Sequence, residues 1–202
     1  AYRGVPEAQH DMATLYAAGK LVARNYTRAL YWFEKSAAAG IANSNYNLGV
    51  IYQQGLGVEK DIQKAITWYE RAAELGHPEA MYNLGIAYVQ GIGVKENAQK
   101  GASYFRRAAE AGVVQAAYNL GILYEAGSAG GIDFAKAAEW YRKAADKGHA
   151  EAQAALARLT KSRSARIAPP SIENSREVDD VGSPPLGGVR QQAPPPGFSK
   201  EP

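Results

Sequence analysis

Three histidines, His10, His77 and His149, are the side chains best suited to proton transfer or metal binding, and no cysteine accompanies them. A zinc site needs three or four donors converging about 2 Å from one ion. His77 and His149 stand at the same point of a regular spacing, two units apart. Helices packed roughly 8 to 10 Å from their neighbours would keep them from sharing an ion, so both read as solvated residues at helix starts. There is no Gly-x-Ser-x-Gly, no metal-ligand spacing and no phosphate loop opening from a strand; Gly55-Leu56-Gly57 is too short for one. The chain therefore reads as a non-enzyme, with no catalytic residue, no metal and no cofactor.

The cations form two columns, Arg28, Lys64, Lys100, Lys136 and Lys35, Arg71, Arg107, Lys143. Members of a pair lie seven residues apart, close to two helical turns, and share a face. Such a face could hold an anionic polymer, nucleic acid or a membrane surface. The opposing reading is a solvated outer face, with Glu74, Glu110 and Asp146 three residues beyond the second column and cations favourably placed near helix C-termini. With 23 basic and 20 acidic residues the formal charge is only +3, which favours the solvated face and argues against nucleic acid as partner.

A third set suits a polypeptide. Tyr46, Tyr82 and Tyr118 recur with Asn47, Asn83 and Asn119, with Val50, Ile86 and Ile122, and with Gln53, Val89 and Glu125; Gln54 and Gln90 stand beside them. Tyrosine offers amphipathic area at low entropic cost, and an asparagine amide both donates to and accepts from a peptide backbone. The candidate partner-binding residues are thus Tyr46, Asn47, Val50, Gln53, Gln54, Tyr82, Asn83, Ile86, Gln90, Tyr118, Asn119 and Ile122. A competing account keeps the Tyr-Asn-Leu-Gly stretch for packing between helices alone.

The elements that must position these side chains come from an internal repeat. Gly4, Gly40, Gly76, Gly112 and Gly148 are spaced by 36 residues, and in that register Tyr16, Tyr52, Tyr88, Tyr124 and the aromatic pairs Trp32-Phe33, Trp68-Tyr69, Tyr104-Phe105, Trp140-Tyr141 align without a gap. Each unit reads as two helices. In the third, helix A covers Pro78 to Gln90 and stops at Gly91-Ile92-Gly93, and helix B follows Asn97 and runs to Ala111. Asn25, Asp61, Asn97 and Asp133 are N-caps, and the glycine columns supply left-handed stops. Leu48, Leu84 and Leu120 precede the tyrosine column by four residues on one face. Gly49, Gly85 and Gly121 sit inside helix A at about 1 kcal/mol each relative to alanine, so their recurrence asks for a close aromatic neighbour.

A single hairpin cannot bury its own apolar face, so the units must stack. The expected architecture is an all-α solenoid of antiparallel hairpins over 1–160, with repeats 4–39, 40–75, 76–111 and 112–147 and a terminal helix over 148–160. Residues 161–202 hold eight of the ten prolines beside one aromatic, Phe198. That composition buries no core, and the segment reads as a disordered tail with polyproline II stretches.

The stretch Tyr82 to Tyr88, the loop Gly91-Ile92-Gly93-Val94 and the run Trp68-Tyr69-Glu70-Arg71-Ala72-Ala73 resemble the Sel1-like repeat (SLR) family, a relative of the tetratricopeptide repeats, whose unit is 34 residues and lacks this longer loop. The resemblance covers residue 4 to about 160. It implies a right-handed α-superhelix with the A helices on the concave side, and adaptor, scaffold or regulator roles in bacterial envelope signalling, host interaction and eukaryotic endoplasmic reticulum quality control. The disulfide-stapled branch of the family, and the penicillin-binding activity associated with it, do not carry over to a chain without cysteine. Two units depart from the pattern: the first has Met12-Ala13 for Leu-Gly and Leu21 for the second loop glycine, and the fourth has Ala129-Gly130 for Gly-Val. Their loops are expected to diverge.

The function expected is a bacterial protein-interaction scaffold or adaptor gripping a protein or peptide in the groove of A helices; the alternative is an envelope-associated protein holding an anionic polymer or membrane surface on its basic convex face. No apolar run approaches the roughly 18 residues of a membrane span, so no membrane insertion is expected. The chain enters a repeat almost at Ala1, as a mature form or a piece of something longer would. A periplasmic or secreted location is the leading expectation, a cytoplasmic one the alternative.

Overall fold

In a computed structural model the described residues, 4–167, form nine helices and no strand: α1 Pro6–Ala18, α2 Tyr26–Ala38, α3 Ala42–Gln54, α4 Ile62–Glu74, α5 Pro78–Gln90, α6 Ala98–Glu110, α7 Val114–Ala126, α8 Phe134–Ala145 and α9 Ala150–Ile167. Odd-numbered helices are the A helices and even-numbered ones the B helices. The chain divides into two compact units between Tyr104 and Phe105, inside α6. In the first, each helix from α1 to α5 packs on its sequence neighbours; in the second, α7 packs on α8 and α8 on α9.

The punctuation operates as the residue types require. Asn25, Asp61, Asn97 and Asp133 each accept the backbone N–H three residues on, at 2.9 Å. Each of these N-cap residues also donates its own N–H to the carbonyl of the tyrosine column, Tyr16, Tyr52, Tyr88 and Tyr124, at 2.7 to 2.9 Å. One residue therefore starts helix B and closes the hairpin onto helix A. Gly55, at φ 71°, ends α3 in the left-handed conformation, where a β-carbon would be strained.

Gly49 and Gly121, inside their A helices, have the close aromatic neighbour expected of them. A β-carbon on Gly49 would lie 2.5 Å from the Tyr69 ring, and one on Gly121 2.5 Å from the Tyr141 ring. The second loop glycine works differently: a β-carbon on Gly57 would meet the Cβ of Tyr26 at 2.5 Å, and Gly93 is pressed against Ile62 in the same way. The loop of one hairpin thus seats on the first residue of the preceding helix B. Leu21 holds this loop position in the first unit, with no preceding helix B among the described residues, and is 81% exposed.

The fourth loop diverges as its residues predict, whereas the first keeps the left-handed stop, Gly19 at φ 70° donating to the Leu15 carbonyl at 3.0 Å. The second loop closes with Gly55 and Leu56 both donating to the Ile51 carbonyl. In the fourth, Gly127 reaches Tyr124 at 3.4 Å, and Gly130 and Gly131 both adopt positive φ before Asp133 restores the register. In the first repeat His10 and Ser36 replace the tyrosine and alanine found in the others, and in the second Ser44 replaces the alanine of Ala8, Ala80 and Ala116. Ser36 donates to the carbonyls of Trp32 and Phe33 and meets Ser44, which meets His10 Nδ1 at 2.7 Å. Thr14, at the position of Val50 and Ile86, has its hydroxyl enclosed with no hydrogen-bond partner among the described residues.

Helix α9 continues past the expected end at Thr160 to Ile167. Arg163 stands in the column of Gly19, Gly55, Gly91 and Gly127, so the left-handed stop is missing and the helix runs on. The rest of the expected tail, 168–202, lies outside the described residues.

Candidate protein-interaction face

Within each unit the A helices touch through side chains one repeat apart. In the first, His10 of α1 bonds Ser44 of α3, and His77 at the start of α5 stacks on Tyr46 of α3 with ring centroids 4.4 Å apart and planes 12° apart. In the second, His149 stacks on Tyr118 at 4.6 Å and meets Gln115 at 2.8 Å. The two histidines are at helix starts as expected, but they are not solvated. Each accepts a backbone N–H as an N-cap, from Ala80 and Ala152 respectively, and their side chains are only 10% and 11% exposed. A tyrosine ring in the neighbouring helix A covers them.

Tyrosine hydroxyls from helix B complete the polar layer beneath the face. Tyr69 donates to Gln53. Tyr141 donates to Glu125 at 2.7 Å, and Glu125 also receives Arg158 at 2.7 and 2.8 Å. Burial pushes the Tyr46 and Tyr69 hydroxyls up from their ordinary value, so both stay protonated donors at neutral pH.

The twelve candidate binding residues separate by depth. Val50, Tyr82 and Ile122 lie in the packed interior, Ile122 at 1% exposure, and Asn47 and Asn119 are also buried, the latter accepting from Gln115 at 3.2 Å. Tyr46 and Tyr118 lie half-buried under their histidines. Asn83 and Ile86 are half-buried, while Gln53, Gln54 and Gln90 are exposed. The helical spacing i, i+4, i+7, i+11 puts Asn43, Asn47, Val50, Gln54 on one stripe of α3 and Glu79, Asn83, Ile86, Gln90 on the matching stripe of α5. Asn43 and Glu79, both exposed, were not among the residues expected there, although their place on the stripe is legible from the period.

Both basic columns have partners inside their own hairpins. Arg28, Lys64, Lys100 and Lys136 lie over the rings of Tyr16, Tyr52, Tyr88 and Tyr124 at 4.0 to 5.4 Å. In the second column Arg71 and Lys143 cover Trp68 and Trp140 at 4.6 and 3.8 Å. Among the described residues no three acidic or histidine side chains gather as a metal site, and no helix is long and apolar enough to cross a membrane.

Burial holds His10 and His77 below the ordinary histidine value, with Asp11 and Glu79 partly opposing it. Their unfolded forms take up a proton first as pH falls, so the stability they contribute is complete above about pH 6.5 and is lost as pH drops through the folded values. The urea midpoint is expected to fall between pH 7.5 and 5.5, and to fall less in a His10→Gln/His77→Gln variant. Parallel pH profiles for the two proteins would contradict this.

Comparison with known proteins places the chain. The Sel1 repeat family matches residues 6–41, 42–77, 78–113 and 114–149, each match beginning within a residue of an A-helix start. The Sel1 repeat protein of Oxalobacter formigenes is 35% identical, with a TM-score of 0.72 over 79% of this chain and 63% of its own. The protective antigen c5321, present in uropathogenic Escherichia coli strains and displaying an SLR fold, is 36% identical, with a TM-score of 0.75 over 78% of this chain and 34% of its own. This chain therefore spans less than two thirds of either relative. No curated protein matches it in sequence. Four consecutive matched repeats, joined to the capped hairpins and loop glycines described above, make the chain a member of the Sel1 repeat family.

Proposed function

We propose that this chain is a non-catalytic bacterial scaffold that holds an extended polypeptide against its A helices. Sel1 repeat folds are generally protein-interaction scaffolds. The observation that carries the finer reading is the pair of matching stripes on α3 and α5, where the carboxamide residues Asn43, Gln54 and Gln90 are exposed around the half-buried Asn83 and Ile86. Carboxamides satisfy both the donor and the acceptor of a peptide backbone, and an extended chain advances about 3.3 Å per residue. Helices roughly 10 Å apart would meet it every three residues. Tyr46, Tyr69 and His77, locked together below, make the stripe a rigid platform, which lowers the entropy lost on binding.

The test takes a partner captured by pull-down and measures its affinity for the parent and for a Gln54→Ala/Asn83→Ala/Gln90→Ala variant by calorimetry. A loss of about tenfold is expected, since a net hydrogen bond contributes on the order of 1 kcal/mol and these bonds lie at a partly wet face. Gln54 and Gln90 are surface residues, whose replacement leaves stability within about 0.5 kcal/mol. Unchanged affinity would remove the A-helix face as the binding site.

A further inference from the structure

We propose, building on the A-helix face as a docking site, that the first unit selects extended segments rich in lysine and arginine. The basis is a separation of charge between the two helix types. Helices α1, α3 and α5 contain no lysine or arginine at all; their fixed charges are Glu7, Asp11 and Glu79. Every lysine and arginine of residues 4–104 lies on a loop or on α2, α4 or α6.

Helix stability does not require this separation. The macrodipole favours cations in the last turn of any helix, and α2, α4 and α6 carry Lys35, Arg71 and Arg107 there. The last turns of α1, α3 and α5 have none. Glu7 and Glu79 sit in first turns, where the dipole welcomes them. Asp11 does not: it is in the middle of α1, where the dipole offers nothing, and it is exposed. His10 and His77 add no opposing charge at neutral pH, because burial favours their neutral forms. The face therefore offers carboxylates and carboxamides with no cation among them, and its electrostatic complement is a basic chain. A neutral peptide would gain only the carboxamide bonds, and an acidic one would be repelled.

The probe is a random octapeptide library, long enough to span the two intervals between three A helices at about three residues per interval. The full chain carries a photo-crosslinker at the exposed Gln90, which reports whether captured peptides lie on this face. Peptides crosslinked there are expected to be enriched in lysine and arginine. A selected basic octapeptide should bind a Glu7→Gln/Asp11→Asn/Glu79→Gln variant about tenfold more weakly, from roughly two- to threefold per exposed charge pair. Its affinity for the parent should also fall between about 50 and about 300 mM salt as screening shortens the range of the carboxylates. Crosslinked peptides with no basic excess, or basic peptides that bind the triple variant equally well, overturn the charge selection while leaving the docking face in place. A library that yields no crosslinks through Gln90 overturns both.

Discussion

An Arg158→Met variant is expected to lose about 3 kcal/mol of stability in the second unit, with α9 the first element to open. Glu125 is 11% exposed at its side chain, and its carboxylate is held by Arg158 at 2.7 Å and by the Tyr141 hydroxyl. Removing one partner of a buried pair leaves a poorly solvated charge, at a cost of about 3–5 kcal/mol. Arg158 is itself 38% exposed, so screening puts the loss at the lower end of that range. Methionine preserves the length of the side chain and leaves the charge as the main difference. Hydrogen exchange should show the amides of α9 exchanging faster than those of α7. An Arg158→Met/Glu125→Gln double variant should recover part of the loss, because the stranded charge goes with its partner. If the double variant is no more stable than Arg158→Met alone, burial of the unpaired carboxylate is not the cause.

That ion pair also shows where reading by columns stops. Arg158 stands in the column of Val50, Ile86 and Ile122, and Glu125 in that of Gln53 and Val89. The departure is visible in the register, but its meaning depends on two residues 33 apart in sequence meeting across a packed helix pair. His77 and Tyr46, or His149 and Tyr118, pose the same difficulty. Helix limits were legible because a cap residue and a glycine act within a few residues of themselves, and the third unit's helix A runs from Pro78 to Gln90 as its pattern indicates. The missing glycine at Arg163 was equally legible, yet the proline-rich composition that follows drew the boundary too early.

Depth on the candidate face was the least legible property. Val50, Ile86 and Ile122 occupy one column and would be given one role from sequence, yet Val50 and Ile122 are buried while Ile86 is only half-buried. A helix packed on both sides exposes a strip about one residue wide, so a small change in neighbouring side chains moves a position from surface to interior. The asparagine column divides in the same way: Asn83 is half-buried, while Asn119 is buried and accepts from a glutamine on its own helix. Repetition of residue type does not guarantee repetition of environment.

Gly49 offers a test in which the sign of the effect carries the information. Alanine in place of a mid-helix glycine normally stabilises by about 1 kcal/mol, so a bare propensity argument expects Gly49→Ala to improve the protein. The structure gives the opposite expectation. The new β-carbon would stand 2.5 Å from both Cδ1 and Cε1 of Tyr69 and 3.0 Å from Cζ. The ring cannot easily retreat, because it is 3% exposed and its hydroxyl is tied to Gln53. Overpacking of this kind costs about 1–3 kcal/mol beyond the propensity gain, so Gly49→Ala should destabilise the first unit by about 2 kcal/mol. The first repeat carries Ala13 in the same column, and its partner by register is Phe33, a ring with no hydroxyl to anchor it. In a Tyr69→Ala background the obstacle is gone, and Gly49→Ala should then stabilise by about 1 kcal/mol, giving a coupling of about 3 kcal/mol between the two sites. Urea denaturation of the four proteins of this cycle measures it. A stabilising Gly49→Ala in the parent, or additivity of the two substitutions, would mean that the recurring glycine answers to something other than the ring packed against it.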